Sequence, residues 1–281
     1  MTLRPVDDTT VLVTGATDGL GCGVADRLAR EGATVLIHGR DSEKLAATAH
    51  ELRSASGNEH IRTYMADFSS LKAVRAMALE VETENHRLHV LVNNARVGSG
   101  KPAGTTRQES EDGHELRFGV NHLAPFVLTM RLLPLLRRSA PARIVNVASA
   151  GQYPIDFDDV MLERDYEGSR AYRQSKLAQI MFGFELAERL PAEEVTVNSL
   201  HPATFMPTKI VLEQHGHAVD SLEDGIDATV RLAVGADVDG VTGRYFNRQA
   251  EARADDQAYD VEARRRLWEL SAELTGESLA V

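Results

Sequence analysis

The sequence predicts an α/β protein in which one doubly wound parallel sheet is covered by helices on both faces. Short apolar runs rich in β-branched residues alternate with amphipathic stretches, which is the pattern of repeated β-α-β units. The first run is followed at once by a glycine-rich turn, and polar residues follow the later runs. Such crossovers are right-handed and place a ligand crevice at the carboxyl ends of the strands. Because no change in composition marks a linker, we expect a single domain over residues 1–281.

The first unit predicts a phosphate-binding turn. An apolar run at residues 10–14 leads into Gly15, Gly19 and Gly21, spaced G-x-x-x-G-x-G, and then into an amphipathic stretch. Glycines let a backbone approach a pyrophosphate closely, and the start of a helix offers unpaired N–H groups to it. Glycines that merely punctuate a loop are the alternative interpretation. The residues expected to contact a cofactor here are Gly15, Thr17, Asp18, Gly19, Leu20 and Gly21.

The second strand indicates which dinucleotide would bind. The run at residues 34–38 ends in Gly39-Arg40-Asp41, about 20 residues beyond the glycines, where such a site reads the adenosine ribose. Arg40 supplies a positive charge for a 2′-phosphate and Gly39 leaves room, so NADP(H) is predicted over NAD(H), with Lys44 as a possible helper. Asp18 could lie near the same phosphate, and it counts against this preference.

Two more strands end in polar residues. The run at residues 61–66 leads into Asp67 and Phe68. Asp67 could accept a hydrogen bond from an adenine amino group, while capping of the next helix by Asp67 or Ser69 is the alternative. The run at residues 89–92 leads into Asn94 and Ala95, which are therefore expected at the crevice.

The second half of the chain holds the candidate reactive groups. Tyr172 and Lys176 are four residues apart in a helix predicted over residues 171–182, so they share one face. An ammonium beside a phenol stabilises the phenolate, which allows the tyrosine to give and take a proton. Ser149 ends a strand predicted at residues 143–149. Asn121 lies within a helical stretch predicted at residues 107–138, where a structural polar contact is the alternative role.

These motifs resemble the short-chain dehydrogenase/reductase family. The resemblance is carried by TGATDGLG, NNA, Asn121, Ser149, Tyr172-x-x-x-Lys176 and HPAT in this order. The segments EDGHELRFGVNHLAPFVLT, SKLAQIMFGFELAERL and VTVNSLHP are most similar to the retinol dehydrogenase-like branch, which includes WW-domain oxidoreductases and protochlorophyllide reductases. The resemblance covers residues 10–208 and implies a Rossmann-type fold with about seven strands.

The resemblance also implies a role for each reactive group. Tyr172 would be the general acid in carbonyl reduction and the base in alcohol oxidation, with Lys176 promoting its ionisation and binding the nicotinamide ribose. Ser149 would hold the carbonyl oxygen, and Asn121 would fix a water that extends a proton relay from Lys176. The residues implied to contact the nicotinamide are Tyr172, Lys176, Pro202, Thr204 and Thr208.

The function implied is NADP(H)-dependent reduction of a ketone or aldehyde on a fairly apolar small molecule. Oxidation of a hydroxyl on a retinoid-, steroid- or polyketide-like substrate is the alternative direction. A regulator that senses NADP(H) without turnover is the alternative from another class. The complete set Asn121, Ser149, Tyr172 and Lys176 argues against such a sensor, which has no need of a proton relay.

The sequence departs from the family in three places. Arg96 stands where glycine usually follows Asn-Asn-Ala; it could reach a cofactor phosphate or an acidic substrate, although a solvated side chain is favoured. Ala203 and an altered spacing make Thr208, rather than Pro207, the expected carboxamide contact. Residues 151–170 are longer than in compact members and predict an acidic flap, and residues 203–221 predict a lid.

Composition narrows the partners and the location. The net charge of −11 argues against nucleic acid and anionic membrane surfaces, which require a basic footprint. One cysteine, Cys22, excludes an intramolecular disulfide and suits a reducing compartment. No signal-peptide pattern and no run of about 20 apolar residues is apparent, so a soluble cytoplasmic protein without membrane partners is expected.

Two further segments contain residues with binding potential. His215 and His217, with Glu213 and Asp220, could suggest a metal site, but a lid is favoured and no metal is predicted. Residues 255–275 predict an amphipathic C-terminal helix that anchors Trp268 onto the sheet or onto a partner subunit. A homo-oligomer is therefore possible.

Overall fold

The computed structural model describes residues 4–99, 106–207 and 219–278. Its strands form one eight-stranded sheet in the order β3-β2-β1-β4-β5-β6-β7-β8. The strands are β1 Thr10–Val13, β2 Thr34–Gly39, β3 Ile61–Met65, β4 Val90–Asn93, β5 Ala142–Val147, β6 Val195–His201, β7 Arg244–Asn247 and β8 Ala250–Ala252. The first seven are parallel. The predicted parallel α/β fold of about seven strands is therefore confirmed.

The eighth strand was not predicted. β8 pairs with β7 in the antiparallel direction, with Asn247 opposite Ala250, so the two strands are joined by the short turn at Arg248 and Gln249. Arg248 adopts a φ of 56°, in the left-handed region that tight hairpin turns require. A three-residue strand containing two alanines carries no periodic signal, which is why its sequence did not reveal it.

Helices cover both faces of the sheet. Within the described residues they are α1 Gly19–Arg30, α2 Ser42–Ser56, α3 Leu71–Glu84, α4 Leu116–Arg138, α5 Gly168–Arg189, α6 Leu222–Val234 and α7 Val261–Thr275. Successive strand side chains point to opposite faces. Val11 and Val13 therefore join the core beneath α1, α2 and α6, while Leu12 joins the core beneath α3, α4, α5 and α7.

Helix α4 is shorter than predicted. The expected helical stretch began at residue 107, but residues 106–115 form a loop in which the backbones of Glu109 and Glu115 pair in an isolated antiparallel β-bridge. The helix begins where the Glu115 carboxylate accepts the Phe118 N–H, because a side-chain acceptor satisfies an N–H group that the first turn leaves unpaired. By length and composition α4 could span a membrane, but 83% of its apolar 18-residue stretch is buried inside the protein, as in a core helix.

The C-terminal helix packs on other helices. Trp268 is 2% exposed and stacks on Phe182 of α5, with ring centroids 5.8 Å apart, and meets Phe126 of α4 edge-on at 5.5 Å. The expectation that Trp268 anchors on the sheet or on a partner is wrong, because its indole fills an aromatic cluster between α4 and α5. Oligomer formation stays a prediction.

Candidate active site

A cleft lies at the carboxyl ends of the strands, beside the point where the sheet order reverses between β1 and β4. Its volume is about 320 Å³. Reversal points of open α/β sheets are where dinucleotides bind. Residues predicted for both the cofactor and the reaction line this one cleft, namely Leu20, Ser149, Tyr172, Pro202 and Thr204.

Two glycines of the turn, Gly15 and Gly21, lie where no side chain would fit. Gly15 has a φ of 64°, and an added Cβ there would lie 2.8 Å from the Ala95 Cα. At Gly21 an added Cβ would lie 2.3 Å from the Gly15 carbonyl oxygen and 2.5 Å from the Asn94 amide nitrogen. A backbone that no Cβ shields, at the start of a helix, fits a pyrophosphate.

The turn is held by side chains of β1 and β4. The Asn94 amide donates to the carbonyl oxygens of Thr14 and Gly15 at 2.8 and 3.0 Å. The Thr14 hydroxyl accepts the N–H groups of Asn94 and Ala95 at 2.9 and 3.0 Å. Asn94 therefore shapes the cradle from behind. Asp18 caps α1 by accepting the Gly19 N–H at 2.7 Å. The Gly19 N–H, one of the groups predicted to bind a phosphate, is therefore already hydrogen-bonded.

We expect Gly21→Ala to weaken NADP(H) binding by about tenfold or more, since a forced methyl costs roughly 1–3 kcal/mol. The dissociation constant is measured by fluorescence titration of NADPH. Gly57→Ala is the matched control: Gly57 also has a positive φ, but its added Cβ meets nothing within 4 Å. Gly57→Ala should lower the melting temperature without changing the dissociation constant. Equal dissociation constants for both variants would contradict the cradle.

His38 joins the turn to the neighbouring strands. Its Nδ1 accepts the Gly15 N–H at 3.1 Å, and its Nε2 lies 3.0 Å from the Ala66 carbonyl oxygen. Burial lowers the pKa of His38 to about 4, so the ring is neutral and Nε2 carries the proton. The Phe68 ring stacks on His38 at 4.2 Å and is itself buried. Phe68 thus supports His38 from within the core.

The ends of β2 and β3 carry the predicted adenosine contacts. Arg40 is exposed, while Asp41 is occupied as the cap of α2, accepting the N–H groups of Glu43 and Lys44. An added Cβ at Gly39 would lie 2.5 Å from the Thr17 side chain, so the glycine lets Thr17 pack there. Asp67 is exposed and accepts the Ser69 N–H at 2.8 Å.

The capping alternative for Asp67 and Ser69 is wrong. Helix α3 begins at Leu71, whose N–H donates to the carboxylate of Asp112 at 2.8 Å. The cap comes from a residue far along the chain, which local sequence cannot show. The Asp67 side chain instead closes a local turn.

Tyr172 and Lys176 lie in α5 as predicted. Tyr172 lines the cleft. Lys176 is fully buried, and its ammonium donates to the Val147 carbonyl oxygen at 2.8 Å and to Gln179 Oε1 at 3.1 Å. Gln179 in turn donates to the Asn93 carbonyl oxygen at 3.3 Å. The lysine is thereby fixed at the ends of β4 and β5.

Burial lowers the pKa of Lys176 well below its usual value, and the nearby charge of Arg96 lowers it further. No carboxylate hydrogen-bonds to the ammonium within the described residues. A lysine whose charged form is destabilised gives up a proton more readily, as a relay would require.

Ser149 faces the cleft with its proton available. The Ser149 Oγ accepts the Gly151 N–H at 3.0 Å, and a hydroxyl that already accepts one hydrogen bond can still donate its own. The Ser149 carbonyl oxygen accepts the Tyr245 hydroxyl at 3.0 Å. β7 therefore fixes the backbone that presents this serine.

Asn121 lies in a π-helical turn, Gly119–Leu123, inside α4. Such turns often occur at functional sites. The Asn121 amide accepts the Val97 N–H at 2.7 Å, donates to the Val97 carbonyl oxygen at 3.1 Å and donates to the Ser175 hydroxyl at 3.0 Å. Asn121 and Lys176 make no direct hydrogen bond in the part of the chain described, so a relay between them would need an intervening group.

The segment after β6 is held by an ion pair. Asp220 accepts the Thr204 N–H at 2.6 Å and binds Arg248 at 2.6 Å. The Thr204 hydroxyl lies 3.0 Å from His201 Nε2. The expected nicotinamide wall of Pro202 and Thr204 is thus tied to the β7–β8 turn. Thr208, His215, His217 and Glu213 lie outside the described residues.

The predicted acidic flap, residues 151–170, is anchored to the core. Ile155 and Val160 are buried. The Gln257 side chain accepts the Ile155 N–H and donates to the Ile155 carbonyl oxygen. The fully buried Arg117 donates to the Gly98 carbonyl oxygen at 2.8 Å and to the Tyr166 hydroxyl at 2.6 Å. Arg117 therefore joins the loop after β4 to the flap.

Several positioning residues were not predicted from the sequence. Thr14, His38 and Gln179 hydrogen-bond to the predicted site residues Asn94, Gly15 and Lys176, and Arg117 holds the loop after β4 at Gly98. Of these, only Gln179 gave a usable signal, because it lies three residues beyond Lys176 and thus on the same helix face.

Two candidates remain, the metal site and Cys22. In residues 4–99, 106–207 and 219–278 no group of three or more potential metal ligands occurs. Burial raises the pKa of the Cys22 thiol, with Asp26 adding to the effect, so the thiolate is disfavoured despite the helix start.

The cleft therefore brings a phenol and a serine hydroxyl beside the start of α1, and the buried amine of Lys176 is bonded to the carbonyl of Val147 in its lining. Such a set can transfer a proton to or from an oxygen beside a bound dinucleotide. It is the arrangement that a carbonyl and its alcohol require when a hydride is exchanged.

Comparisons with known proteins agree with this chemistry. The sequence model of the short chain dehydrogenase family matches residues 9–216. The chain is 39% identical to retinol dehydrogenase 13 of Homo sapiens, covering 95% of this chain and 84% of that one. An uncharacterized protein from Mycobacterium Paratuberculosis superposes with a TM-score of 0.75 at 28% identity, each chain being fully covered.

A second solved structure, the RhlG/NADP active-site complex of Pseudomonas aeruginosa, gives a TM-score of 0.71 at 28% identity over 87% of this chain and 97% of that one. With the resemblance confirmed over most of its length, the chain belongs to the short-chain dehydrogenase/reductase family, in its retinol dehydrogenase-like branch, and is an oxidoreductase that acts on CH–OH and C=O groups.

Proposed function

We propose that this protein reduces the carbonyl of a fairly apolar small molecule with NADPH. The observation that carries the proposal is the presence of Tyr172 and Ser149 in one cleft, together with the buried amine of Lys176, which donates to the carbonyl oxygen of Val147 in the cleft lining. Bound NADPH would supply a hydride from C4 of its nicotinamide. The cofactor is expected to lie along the Gly15–Gly21 turn, with Lys176 and Thr204 near its nicotinamide end.

The protein's own groups would handle the proton. Ser149 donates a hydrogen bond to the substrate oxygen and holds it beside the phenol. Tyr172 then gives its proton to that oxygen as negative charge develops there, which a fixed donor such as Ser149 also stabilises. Lys176 favours the resulting phenolate and is placed to return a proton. The predicted relay beyond Lys176 involves Asn121, whose amide is fixed by Val97 and Ser175.

NADP(H) is proposed over NAD(H). Arg40 is exposed at the end of β2 and makes no side-chain hydrogen bond within the described residues, so its guanidinium is available for a 2′-phosphate. The neighbouring carboxylate, Asp41, is engaged in capping α2 and would not compete for the ribose. The similar RhlG structure is a complex with NADP, which supports the same choice.

The direction of the reaction can be reversed, and one observation favours oxidation as a second candidate. The relative at 39% identity is named a retinol dehydrogenase, so oxidation of an apolar alcohol is the alternative. The experiment follows NADPH consumption with bulky ketones and aldehydes, and NADP⁺ reduction with the corresponding alcohols. Turnover with none of them would reject both proposals.

We expect Arg40→Ala to raise the KM for NADPH by roughly 10- to 100-fold, because a hydrogen bond to a charged group is worth about 1.5–3 kcal/mol. The KM for NADH, which has no 2′-phosphate, should stay within about threefold. Initial rates with either cofactor measure the ratio. A preference that survives the substitution would show that another residue reads the phosphate.

Location and assembly stay predictions. The single cysteine supports a reducing compartment, and we propose a cytoplasmic location. Absence of membrane association and formation of a homo-oligomer are proposed from the sequence alone.

A further inference from the structure

Arg96 stands on the wall of the reactive cleft. It is half-buried and lines the cleft together with Ser149 and Tyr172. The side chain that the sequence favoured as solvated therefore lies beside the reactive groups. An arginine in this position can touch whatever lies beside the phenol.

The backbone that carries Arg96 is rigid. The Asn121 amide hydrogen-bonds to both the N–H and the carbonyl of Val97, and Arg117 donates to the carbonyl of Gly98 at 2.8 Å. The side chains of Asn121 and Arg117 are fully buried. The backbone from which the Arg96 side chain extends is thus fixed, which reduces the part of the ordering entropy that a ligand contact would cost.

Arg96 has no counterion among the described residues. Its side chain makes no hydrogen bond or ion pair within the described residues, and no Asp or Glu lines the cleft there. The second charged residue of the lining is Arg173, also a cation. In a protein of net charge −11, this cleft is locally positive.

The rest of the lining is largely apolar. The segment after β6 contributes Pro202, Ala203, Phe205 and Met206. A ligand that satisfies both parts of the cleft has an apolar body and an anionic end.

We propose that Arg96 binds a carboxylate of the substrate, so that the preferred substrates are carbonyl compounds with an apolar body and an acidic group. The inference rests on the proposed function and names its substrate class. The planar guanidinium can bind a carboxylate through two parallel hydrogen bonds. Removing the charge should therefore cost selectivity between acid and ester.

A cofactor phosphate is the other source of the same chemistry. The phosphate cradle at Gly15–Gly21 is near, because Ala95 packs against Gly15, but the cleft that Arg96 lines includes the reactive Ser149 and Tyr172 and none of the three glycines of the cradle. The substrate is therefore the favoured source, and the experiment separates the two.

The test compares benzoylpropionate with its methyl ester, which lacks the negative charge and carries one additional methyl group. Binding of each to the NADP⁺-loaded full chain is measured by calorimetry, and reduction of each by NADPH consumption. The wild type should prefer the acid by about tenfold or more in both dissociation constant and kcat/KM. Arg96→Met should reduce that ratio to about one, and Arg96→Lys should retain part of it.

Arg87→Met is the matched control. Arg87 precedes the N-terminal end of β4, is exposed and has no side-chain partner in the described residues. The Arg87→Met substitution therefore removes the same charge far from the cleft. Its acid-to-ester ratio should equal that of the wild type.

Each other outcome has a definite meaning. A wild type without preference for the acid, or an Arg96→Met variant that keeps the preference, overturns the inference. A tenfold weaker binding of NADPH by Arg96→Met assigns the arginine to the cofactor and also overturns it. Selective binding of the acid without turnover of either probe, or of the ketone panel, would reject the proposed reaction while supporting the carboxylate site.

Discussion

Tyr172→Phe is expected to lower kcat/KM for NADPH-dependent carbonyl reduction by about 10³-fold, within the 10²- to 10⁴-fold that general acid catalysis contributes. The substitution removes one oxygen from the cleft and leaves the ring in place. The single proton of the Ser149 hydroxyl is used in the hydrogen bond that holds the substrate oxygen, and Lys176 is buried. Neither group therefore replaces the phenol as the proton donor. Steady-state rates with a reducible ketone measure the loss.

Tyr153→Phe is the matched control for this variant. Tyr153 is 39% exposed, sits under Arg170 and Arg173, and lies outside the cleft lining. Its variant should keep the wild-type rate, and both variants should bind NADPH within about threefold of the wild type. A Tyr172→Phe enzyme that retains more than a tenth of the activity would show that another group donates the proton.

Acid is expected to unfold the protein steeply below about pH 6.5. Burial lowers the pKa values of His38, His89 and His201 to about 4 and that of His122 to about 3. The unfolded chain then binds protons that the folded chain rejects, so stability is lost as pH falls below the ordinary histidine value. Each histidine contributes up to about 1.4 kcal/mol per pH unit. Together they rival the roughly 5–15 kcal/mol of a typical domain.

Urea unfolding between about pH 7 and about pH 5 measures this loss. His122 is enclosed by Phe118, Phe126 and Phe182, and its Nδ1 is buried without a partner among the described residues. His122→Phe should therefore reduce the pH slope by about one proton. His50→Gln, at an exposed position of α2, should leave the slope unchanged. A free energy of unfolding independent of pH in this range would contradict the buried neutral histidines.

The sequence predicted what short-range patterns determine. The β-branched runs set the strands, and the glycine spacing set the turn, because local sterics dictate both. Tyr172 and Lys176 were found since one helical turn brings them together. The sequence placed Ser149 at the end of a strand and Asn121 in a helix, and the resemblance supplied the roles that join them to this pair.

Long-range contacts could not be predicted. The cap of α3 comes from Asp112, and the Tyr245 hydroxyl donates to the Ser149 carbonyl oxygen. The Thr204 N–H donates to Asp220, which Arg248 holds in turn. Each partner is remote in sequence and carries no periodic signal. The position of Arg96 was likewise open, because the direction of a single side chain depends on how its loop is held.

The bonds between Thr14, Asn94 and Gly15 join the first strand of the sheet to the fourth. The turn loses its conformational freedom when the chain folds, before any dinucleotide arrives. Ligand association then needs little ordering of the backbone. Mutations that loosen this junction would transfer the ordering penalty to binding, and weaken affinity without removing a single ligand contact.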